Sequence, residues 1–336
     1  MTQRWVHRPE GSNWGEFGTA DQLGSLNYIT QTEVLRACSE VRHGLRFCLS
    51  LPLDLPGGNV LAPHRHPPVI EATRRHGEPY FNYHFSKEGA SYRDGGCDDA
   101  VTLCTQYSTQ WDGFAHIGHE FDADGDGVAE LCYYNGFRAG SDIRPPAERE
   151  GRYSMPLGID AFAARPIQGC GVLVDLEHHY GRASRTVGFR DLEAVLDADD
   201  VRITKGDIVC LHTGFADELV GMDGAPDAAR VRAMCCALDG TDRALLEWIS
   251  ENRIAALVAD NYAVERLATP NVGASELVPL HHHCLFKRGV PLGELWYLTE
   301  LAHWLRANAR SRFLLTAPPL RLPGAIGSPV TPVATV

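Results

Sequence analysis

Short apolar runs in the second half of the chain are typical of buried β-strands. Residues 171–176 (GVLVDL), 207–214 (DIVCLHTG) and 254–260 (IAALVAD) are rich in Val, Ile and Leu. Each run is as long as a strand and shorter than a usual helix. We therefore predict a strand within each of these three runs.

Amphipathic helical patterns lie beside these strands. Residues 189–200 and 241–252 each place their Leu, Val, Ile and Trp side chains on one helical face, and Thr241 is a candidate cap for the second. Near the start of the chain, Thr30 and Glu33 form a capping-box pattern before an apolar run. Helices are therefore predicted at all three places.

The first third of the chain has a different pattern, with more Gly, Pro and aromatic residues and an alternating segment at 45–55 (LRFCLSLPLDL). After about residue 165, strands alternate with helices. The combination predicts a mixed α/β fold with long loops. No internal repeat, low-complexity tract or linker is evident, so we expect one domain over 1–336 with an extended N-terminal segment of about 45 residues.

Composition and charge exclude several classes of protein. The net charge of the 336 residues is −12 and no Lys/Arg block occurs, which argues against nucleic-acid binding. No stretch of about 18 apolar residues and no signal-peptide pattern is present. The ten cysteines form no CxxC pair, so we expect reduced thiols and a cytoplasmic protein without membrane contact. Nucleophile-elbow, Walker and dinucleotide-binding motifs are also absent from the sequence.

A polar cluster lies between residues 102 and 127. Gln106, Gln110, Asp112 and His116 follow one another at intervals of four, two and four. In an extended segment Gln110 and Asp112 share a face, because strand side chains repeat every two residues. Two amides, a carboxylate and an imidazole would then converge. A polar turn after a strand, with the neighbouring aromatic residues in the core, is the alternative.

A second cluster lies near the C-terminus, where His281, His282 and His283 precede Glu294. Imidazoles and carboxylates are the usual ligands of zinc and manganese. The histidines lie inside an apolar segment far from either terminus, so they are not an affinity tag. The two clusters together suggest a divalent-metal site.

The first cluster resembles the signature H-x-G-T-H-x-D-x-P-x-H of the cyclase family, which contains kynurenine formamidases and related metal-dependent hydrolases. On this chain the three signature histidines fall on Gln106, Gln110 and His116, the aspartate on Asp112, and the threonine on Thr109. The segments at 11–30, 212–217, 259–265, 289–302 and 319–330 are similar to further blocks of the family in the same order. The resemblance implies a swivelling β/β/α fold, with a mixed sheet and flanking helices, that is usually oligomeric. We therefore expect a homo-oligomer, either a dimer or a tetramer.

The resemblance also implies a metal between the signature and a downstream histidine and glutamate. Glu294 matches that glutamate, and His281 is preferred as the histidine, with His282 as the alternative. Two signature histidines are glutamines here, and a neutral amide is a weaker zinc ligand than an imidazole. One divalent ion (manganese, zinc or magnesium) on Asp112, His281 and Glu294 is one expectation, and a metal-free site is the other.

The implied activity is hydrolysis of a small-molecule amide, imide or lactone, or the reverse ring closure, as in an arylformamidase. His116 is the predicted general acid and base. Without a metal, Gln106 and Gln110 could donate hydrogen bonds to a developing oxyanion. Trp111, His119 and Tyr262 are predicted to line the pocket, although Trp111 and Tyr262 could belong to the supporting core.

Two other function classes stay open. One is a metal-independent cyclase, dehydratase or lactonase of a small-molecule pathway. The other is a non-catalytic binding protein on the same scaffold, because two signature histidines are missing. Metal analysis and assays on cyclic amides and lactones distinguish the three.

Overall fold

Strands occur along the whole chain in the computed structural model, which describes residues 4–151, 153–267 and 275–336. Their bounds are β1 (Arg46–Cys48), β2 (Val69–Ala72), β3 (Arg74–Arg75), β4 (Glu78–Pro79), β5 (Tyr83–His84), β6 (Gly95–Gly96), β7 (Asp99–Thr102), β8 (Gln110–Asp112), β9 (His119–Phe121), β10 (Glu130–Tyr133), β11 (Phe137–Arg138), β12 (Gln168–Asp175), β13 (Arg185–Val187), β14 (Ile208–His212), β15 (Cys236–Leu238), β16 (Ala256–Ala259), β17 (Leu292–Glu294), β18 (Arg312–Thr316), β19 (Gly327–Pro329) and β20 (Val333–Thr335).

The helices are short and concentrated in the second half. They are α1 (Gln31–Cys38), α2 (Asp160–Ala164), α3 (Leu176–Tyr180), α4 (Phe189–Ala198), α5 (Phe215–Gly221), α6 (Ala228–Arg232), α7 (Arg243–Glu251), α8 (Pro279–His281) and α9 (Thr299–Ala307). A π-helical turn (His282–Arg288) continues α8, and 3₁₀ turns occur at Gly24–Tyr28, Phe85–Lys87, Tyr134–Gly136 and Pro146–Glu148.

The main sheet is mixed. Within the described residues its nine strands have the order β1-β20-β18-β12-β14-β16-β17-β8-β19. The central strands β12, β14, β16 and β17 are parallel, and antiparallel strands flank them on both sides. Helices connect the parallel strands, as parallel connections require. The predicted mixed α/β fold with flanking helices is confirmed.

The three apolar runs form the centre of this sheet as β12, β14 and β16. All five residues of β14 and all four of β16 are buried. Such continuous burial is expected for parallel strands covered on both faces. Burial on both faces also explains why the sequence shows apolar runs here rather than alternation.

The predicted helix at 31–38 has the expected cap, whereas the helix at 243–251 has a different one. Thr30 and Glu33 form a complete capping box at the start of α1. The cap of α7 is Asp242 rather than Thr241, because the Asp242 carboxylate accepts hydrogen bonds from the backbone N–H groups of Ala244 and Leu245. A carboxylate at this position satisfies donors that the helix itself leaves free.

The alternating segment at 45–55 forms less strand than its pattern predicts. Only Arg46–Cys48 joins the main sheet, next to β20. Pro52 and Pro56 lack the N–H group that a sheet ladder needs, which accounts for the early end. Strands β2 to β7 form separate two-stranded pairs outside the main sheet.

None of the ten cysteines is bonded to another in the structure, and their reduced state stays a prediction. Among the described residues, no helix is both long and apolar enough to cross a membrane.

Candidate active site

Strand β8 positions the first polar cluster between β17 and β19. Gln110 is paired with Glu294 across the antiparallel ladder, so their side chains project from the same face. Asp112, two residues later, shares that face because strand side chains alternate. The sequence-based expectation that Gln110 and Asp112 face the same way agrees with this geometry.

Trp111 lies on the opposite face of β8 and does not line the pocket, contrary to its predicted place there. Its side chain is fully buried in the hydrophobic core. Its ring contacts Trp296 edge-on at 5.0 Å, and its Nε1 donates to the Ala317 carbonyl at 2.8 Å. The alternation that brings Gln110 and Asp112 together turns Trp111 away from them.

His281 reaches the same face from helix α8 and is held there by Glu265. The Glu265 carboxylate accepts hydrogen bonds from the backbone N–H groups of Leu280 and His281, both at 2.9 Å. It also contacts His281 Nδ1 at 2.7 Å, which leaves Nε2 at 3.2 Å from Glu294 Oε1. Glu265 was not predicted from the sequence, although it ends the family-like block at 259–265.

The Gln110 amide lies between the two carboxylates of the site. Its Nε2 donates to Asp112 Oδ1 at 3.1 Å and Oδ2 at 3.3 Å, and is 3.3 Å from Glu294 Oε2. Its Oε1 is buried and has no hydrogen-bond partner among the described residues. An unpaired buried acceptor is unfavourable by about 1–3 kcal/mol, so this amide oxygen is available to a ligand.

Burial and close charges shift the pKa values of the site. Burial raises the pKa of Asp112, and the nearby Glu294 carboxylate adds to the increase while His116 opposes it. Burial also works against ionisation of Glu294, but the hydrogen bond from His281 outweighs it and lowers the pKa of Glu294. Burial disfavours a charged His281, yet hydrogen bonds to Glu265 and Glu294 raise the pKa of His281 to about 10. A metal ion on Nε2 would take the place of the proton that these hydrogen bonds favour there.

His116 lies at the solvent side of the cluster. Its Nε2 is 4.0 Å from Asp112 Oδ1, and 20% of its side chain is exposed. Its ring centroid is 6.3 Å from that of His281. His116 therefore combines access to solvent with contact to the buried acids.

Gln106 is not joined to these groups. Its Oε1 accepts a hydrogen bond from the Thr105 hydroxyl at 2.8 Å. Its Nε2 packs closely against Gly327, the β19 partner of Asp112. A Cβ atom added to Gly327 would lie 2.5 Å from this nitrogen. Among the described residues no hydrogen bond connects Gln106 to Gln110 or Asp112. Gln106 thus lies beside the β8–β19 ladder and makes no hydrogen bond to the residues with which it was predicted to converge.

The other histidines of the second cluster point elsewhere. His282 Nδ1 is 3.7 Å from Glu276 Oε1, and the His282 ring stacks on Phe286. His283 Nε2 is 2.9 Å from the Ser250 hydroxyl. Of the three adjacent histidines, it is His281 whose ring faces the carboxylates.

The remaining predicted pocket residues divide between two places. Tyr262 lines a cavity of about 370 Å³ together with Asn261, Glu265 and apolar side chains. His119 does not lie on that cavity: its ring packs against His282 at 4.4 Å and Phe286 at 5.6 Å. Tyr262 thus shares a cavity with Glu265, the carboxylate that holds His281, and the lining of that cavity includes none of Asp112, His281 and Glu294.

Asp112, His281 and Glu294 fit a divalent cation. Each offers a ligand atom, and the three atoms lie within 4.8 Å of one another. Asp112, Glu265 and Glu294 bring three buried carboxylates to a site that contains one buried imidazole, so a cation would balance the charge. Two carboxylates and one imidazole suit zinc, manganese or magnesium.

Comparisons with known proteins identify the class of this fold and site. The family model named Cyclase matches residues 48–266. The crystal structure of a novel cyclase is 30% identical over 97% of each chain, with a TM-score of 0.76. The chain belongs to the cyclase family.

More distant structures share the fold. Isatin hydrolase A from Labrenzia aggregata, bound to benzyl benzoate, is 14% identical over 89% of this chain and 95% of its own, with a TM-score of 0.56. Isatin hydrolase A from Ralstonia solanacearum is 16% identical over 91% and 97%, with a TM-score of 0.54. Comparison with curated proteins gives no match. The two isatin hydrolases support the fold of this chain and do not define its substrate.

Proposed function

We propose that this cyclase-family protein hydrolyses a small-molecule amide, imide or lactone with a divalent ion held by Asp112, His281 and Glu294. The observation that carries the proposal is the convergence of these three buried ligand atoms beside a partly exposed imidazole. A bound divalent ion would polarise the substrate carbonyl and lower the pKa of a water molecule. Opening of a cyclic imide or amide is the reaction that the isatin hydrolase names also suggest.

The side chains around the ligands would fix their orientation. Glu265 holds Nδ1 of His281, so Nε2 is the nitrogen that faces the site. A ligating histidine usually has such a carboxylate on its second nitrogen, which fixes the ring and makes it more basic. Gln110 joins Asp112 to Glu294 through its amide nitrogen and keeps the two carboxylates close together.

His116 would move the proton. An imidazole changes charge near neutral pH, which suits transfer from an attacking water to a leaving nitrogen or oxygen. His116 lies between solvent and the buried acids, 4.0 Å from Asp112. Asp112 would stabilise the imidazolium that forms during this step.

The metal-free alternative requires the glutamines to donate to an oxyanion. The Gln110 NH₂ group already donates to Asp112 and to Glu294, and Gln106 contacts Thr105. These contacts favour the metal-assisted hydrolase. Arylformamidase-like specificity, a role in small-molecule metabolism, the homo-oligomeric state and the cytoplasmic location stay predictions.

Metal analysis and an activity panel test the proposal. The metal-stripped protein would be supplied with zinc, manganese or magnesium and assayed on cyclic imides, cyclic amides, N-formyl aromatic amines and lactones. We expect metal-dependent turnover of at least one class, and loss of both turnover and one bound ion in Asp112→Asn.

The control is Asp199→Asn, because Asp199 is an exposed carboxylate that pairs with His179 and with none of the proposed ligands. Turnover that is unchanged by metal removal would favour the metal-free enzyme. Absence of turnover in every class with every ion would favour a binding protein.

A further inference from the structure

A second group of metal-binding side chains lies outside the proposed active site. His119, Glu276 and His282 each offer a ligand atom, and these atoms lie within 4.8 Å of one another. The three residues come from strand β9, the turn before α8 and the start of the π-helical turn. Their convergence therefore depends on the tertiary fold and could not arise from one local motif.

The two imidazoles of this group are arranged by their packing. The His119 and His282 ring centroids are 4.4 Å apart with an angle of 39° between the planes. Phe286 packs against both rings, at 5.6 Å from His119 and 5.2 Å from His282. Packing against the Phe286 ring limits rotation of both imidazoles without using a ring nitrogen. The nitrogens therefore stay available for a ligand.

Neither ring nitrogen of His282 has a hydrogen-bond partner among the described residues. His282 Nε2 is buried and makes no hydrogen bond within the part of the chain that the structure describes. Its Nδ1 is 3.7 Å from Glu276 Oε1, which is beyond hydrogen-bond distance. Buried ring nitrogens usually have a partner, so the partnerless Nε2 of His282 points to a ligand at this position.

We propose that His119, His282 and Glu276 form a second divalent-metal site that binds zinc. This site is separate from the proposed site on Asp112, His281 and Glu294. Two imidazoles and one carboxylate are a known three-ligand set for zinc, and they leave the fourth position open to water or to an oxygen of a ligand. The side chains of His282 and Glu276 are 15% and 29% exposed, so an ion can enter from solvent.

One nearby charge opposes a cation at this site. Lys287 is close enough to His282 and Glu276 to interact electrostatically with both. Glu10 also interacts with Lys287, so two carboxylates surround that ammonium. Lys287 is on the π-helical turn, beyond the residue set that would hold the ion, and a flexible lysine side chain can turn outward to solvent.

Zinc titration of the metal-stripped, full-length protein tests this site. Calorimetry would give stoichiometry and affinity for the wild type, His119→Ala, Glu276→Gln and the control His303→Ala. His303 is an exposed histidine on α9. We expect His119→Ala to bind one zinc fewer than the wild type, Glu276→Gln to bind that zinc at least about tenfold more weakly, and the control to match the wild type.

Glu276→Gln keeps the size of a partly exposed side chain, so it decides the question if His119→Ala does not fold. The proposal is overturned if Glu276→Gln binds zinc with the stoichiometry and affinity of the wild type. It is also overturned if the decrease in zinc affinity in Glu276→Gln is no larger than that in His303→Ala.

The variant Asp112→Asn separates this proposal from the proposed function. If the second site exists and the active-site metal does not, the wild type binds one zinc, Asp112→Asn keeps it and His119→Ala loses it. If only the active-site metal exists, Asp112→Asn loses the single zinc and His119→Ala keeps it, which refutes the second site. Cobalt in place of zinc gives an independent readout, because loss of an imidazole ligand changes its visible absorption.

Discussion

At the scale of single residues, Glu265 has a larger role than its place in the chain suggests. It is 2% exposed and makes three contacts with the segment that carries His281. Two of these contacts fix the backbone at the start of α8, and the third fixes the imidazole. The same carboxylate thus positions both the helix and the ligand on it.

Replacement of Glu265 by Gln should therefore weaken metal binding without removing a ligand. We expect divalent-ion affinity at Asp112, His281 and Glu294 to decrease by about 10–100-fold, because the His281 ring loses a charged partner. Calorimetric titration of the metal-stripped protein would measure the change. Glu300→Gln, at an exposed position on α9, is the control, and equal affinities in the two variants would refute the positioning role.

His116 gives a prediction about catalysis alone. His116→Ala should reduce kcat by at least about 100-fold, the usual contribution of a general acid or base. Its unfolding free energy should change little, because the side chain is partly exposed and its closest ionic partner is 4.0 Å away. The kcat on a turned-over substrate and urea unfolding would be measured on the same preparation. Retention of most activity in a folded variant would exclude His116 as the base.

The sequence predicts part of the site well, and physical reasons explain the rest. Gln110 and Asp112 could be placed on one face from strand alternation, and Glu294 could be found by its family-like block. Glu265 could not, because its contacts depend on how the loop after β16 folds back on α8. Gln106 was expected to converge with Gln110, but three residues of an irregular segment separate them and no periodicity fixes the relative direction of their side chains.

At the scale of elements, β8 is a three-residue strand whose two faces have different tasks. One face carries Gln110 and Asp112, and the other carries Trp111. The Trp111 ring packs edge-on against the Trp296 ring, and its N–H donates to the Ala317 carbonyl. Packing of Trp111 therefore fixes the height and direction of the two polar residues on the other face.

Truncation of the Trp111 side chain should destabilise the protein. Trp111→Ala is expected to lower the free energy of unfolding by about 3–5 kcal/mol, because it leaves a large cavity in the core. Trp111→Phe should have a smaller effect, since it keeps most of the buried ring and loses the hydrogen bond to Ala317. Urea denaturation would measure both. The control Tyr92→Ala removes an aromatic ring that is 54% exposed, and a similar loss there would contradict the assignment of Trp111 to the core.

The central elements were predictable for a reason that does not apply to the edges. Strands β12, β14 and β16 are buried on both faces, so their apolar composition is imposed by the fold. The segment at 45–55 has the alternation of a strand but also two prolines, and the prolines prevail over the pattern. Asp242 replaced Thr241 as a cap because adjacent polar residues can each start a helix, and the choice depends on the incoming chain direction.

At the scale of the whole molecule, a buried ionic network joins the main sheet to α9. His212, fully buried at the end of β14, is 2.7 Å from Asp175 at the end of β12. Arg306 on α9 donates to the same carboxylate at 2.5 Å, and Thr299 is 3.3 Å from His212 Nε2. The four residues lie on three elements, β12, β14 and α9, so the network depends on the complete tertiary fold.

The pKa shifts in this network determine a pH dependence. Burial disfavours a charged His212, but the hydrogen bond to Asp175 and the charges of Asp260, Asp175 and Glu177 outweigh it and raise the pKa of His212. Burial likewise disfavours ionised Asp175, but His212 and Arg306 prevail and lower the pKa of Asp175. The His212 contribution to stability is thus complete below its unfolded pKa of about 6.5 and is lost as pH rises through the higher folded value. The Asp175 contribution is present above about pH 4 and is lost at lower pH.

Replacement of His212 by Asn should therefore destabilise the protein most between about pH 4 and 6.5, where both partners are charged in the wild type. We expect a decrease in the unfolding free energy of about 3–5 kcal/mol in that range, the usual effect of removing one member of a buried ion pair. The difference from the wild type should shrink as pH rises above about 6.5, because the wild type then loses the proton-linked part of its stability. Urea unfolding of both proteins at several pH values would measure this difference, with His303→Asn as the exposed control. A difference that stays constant or grows with pH would show that His212 is neutral in the folded protein.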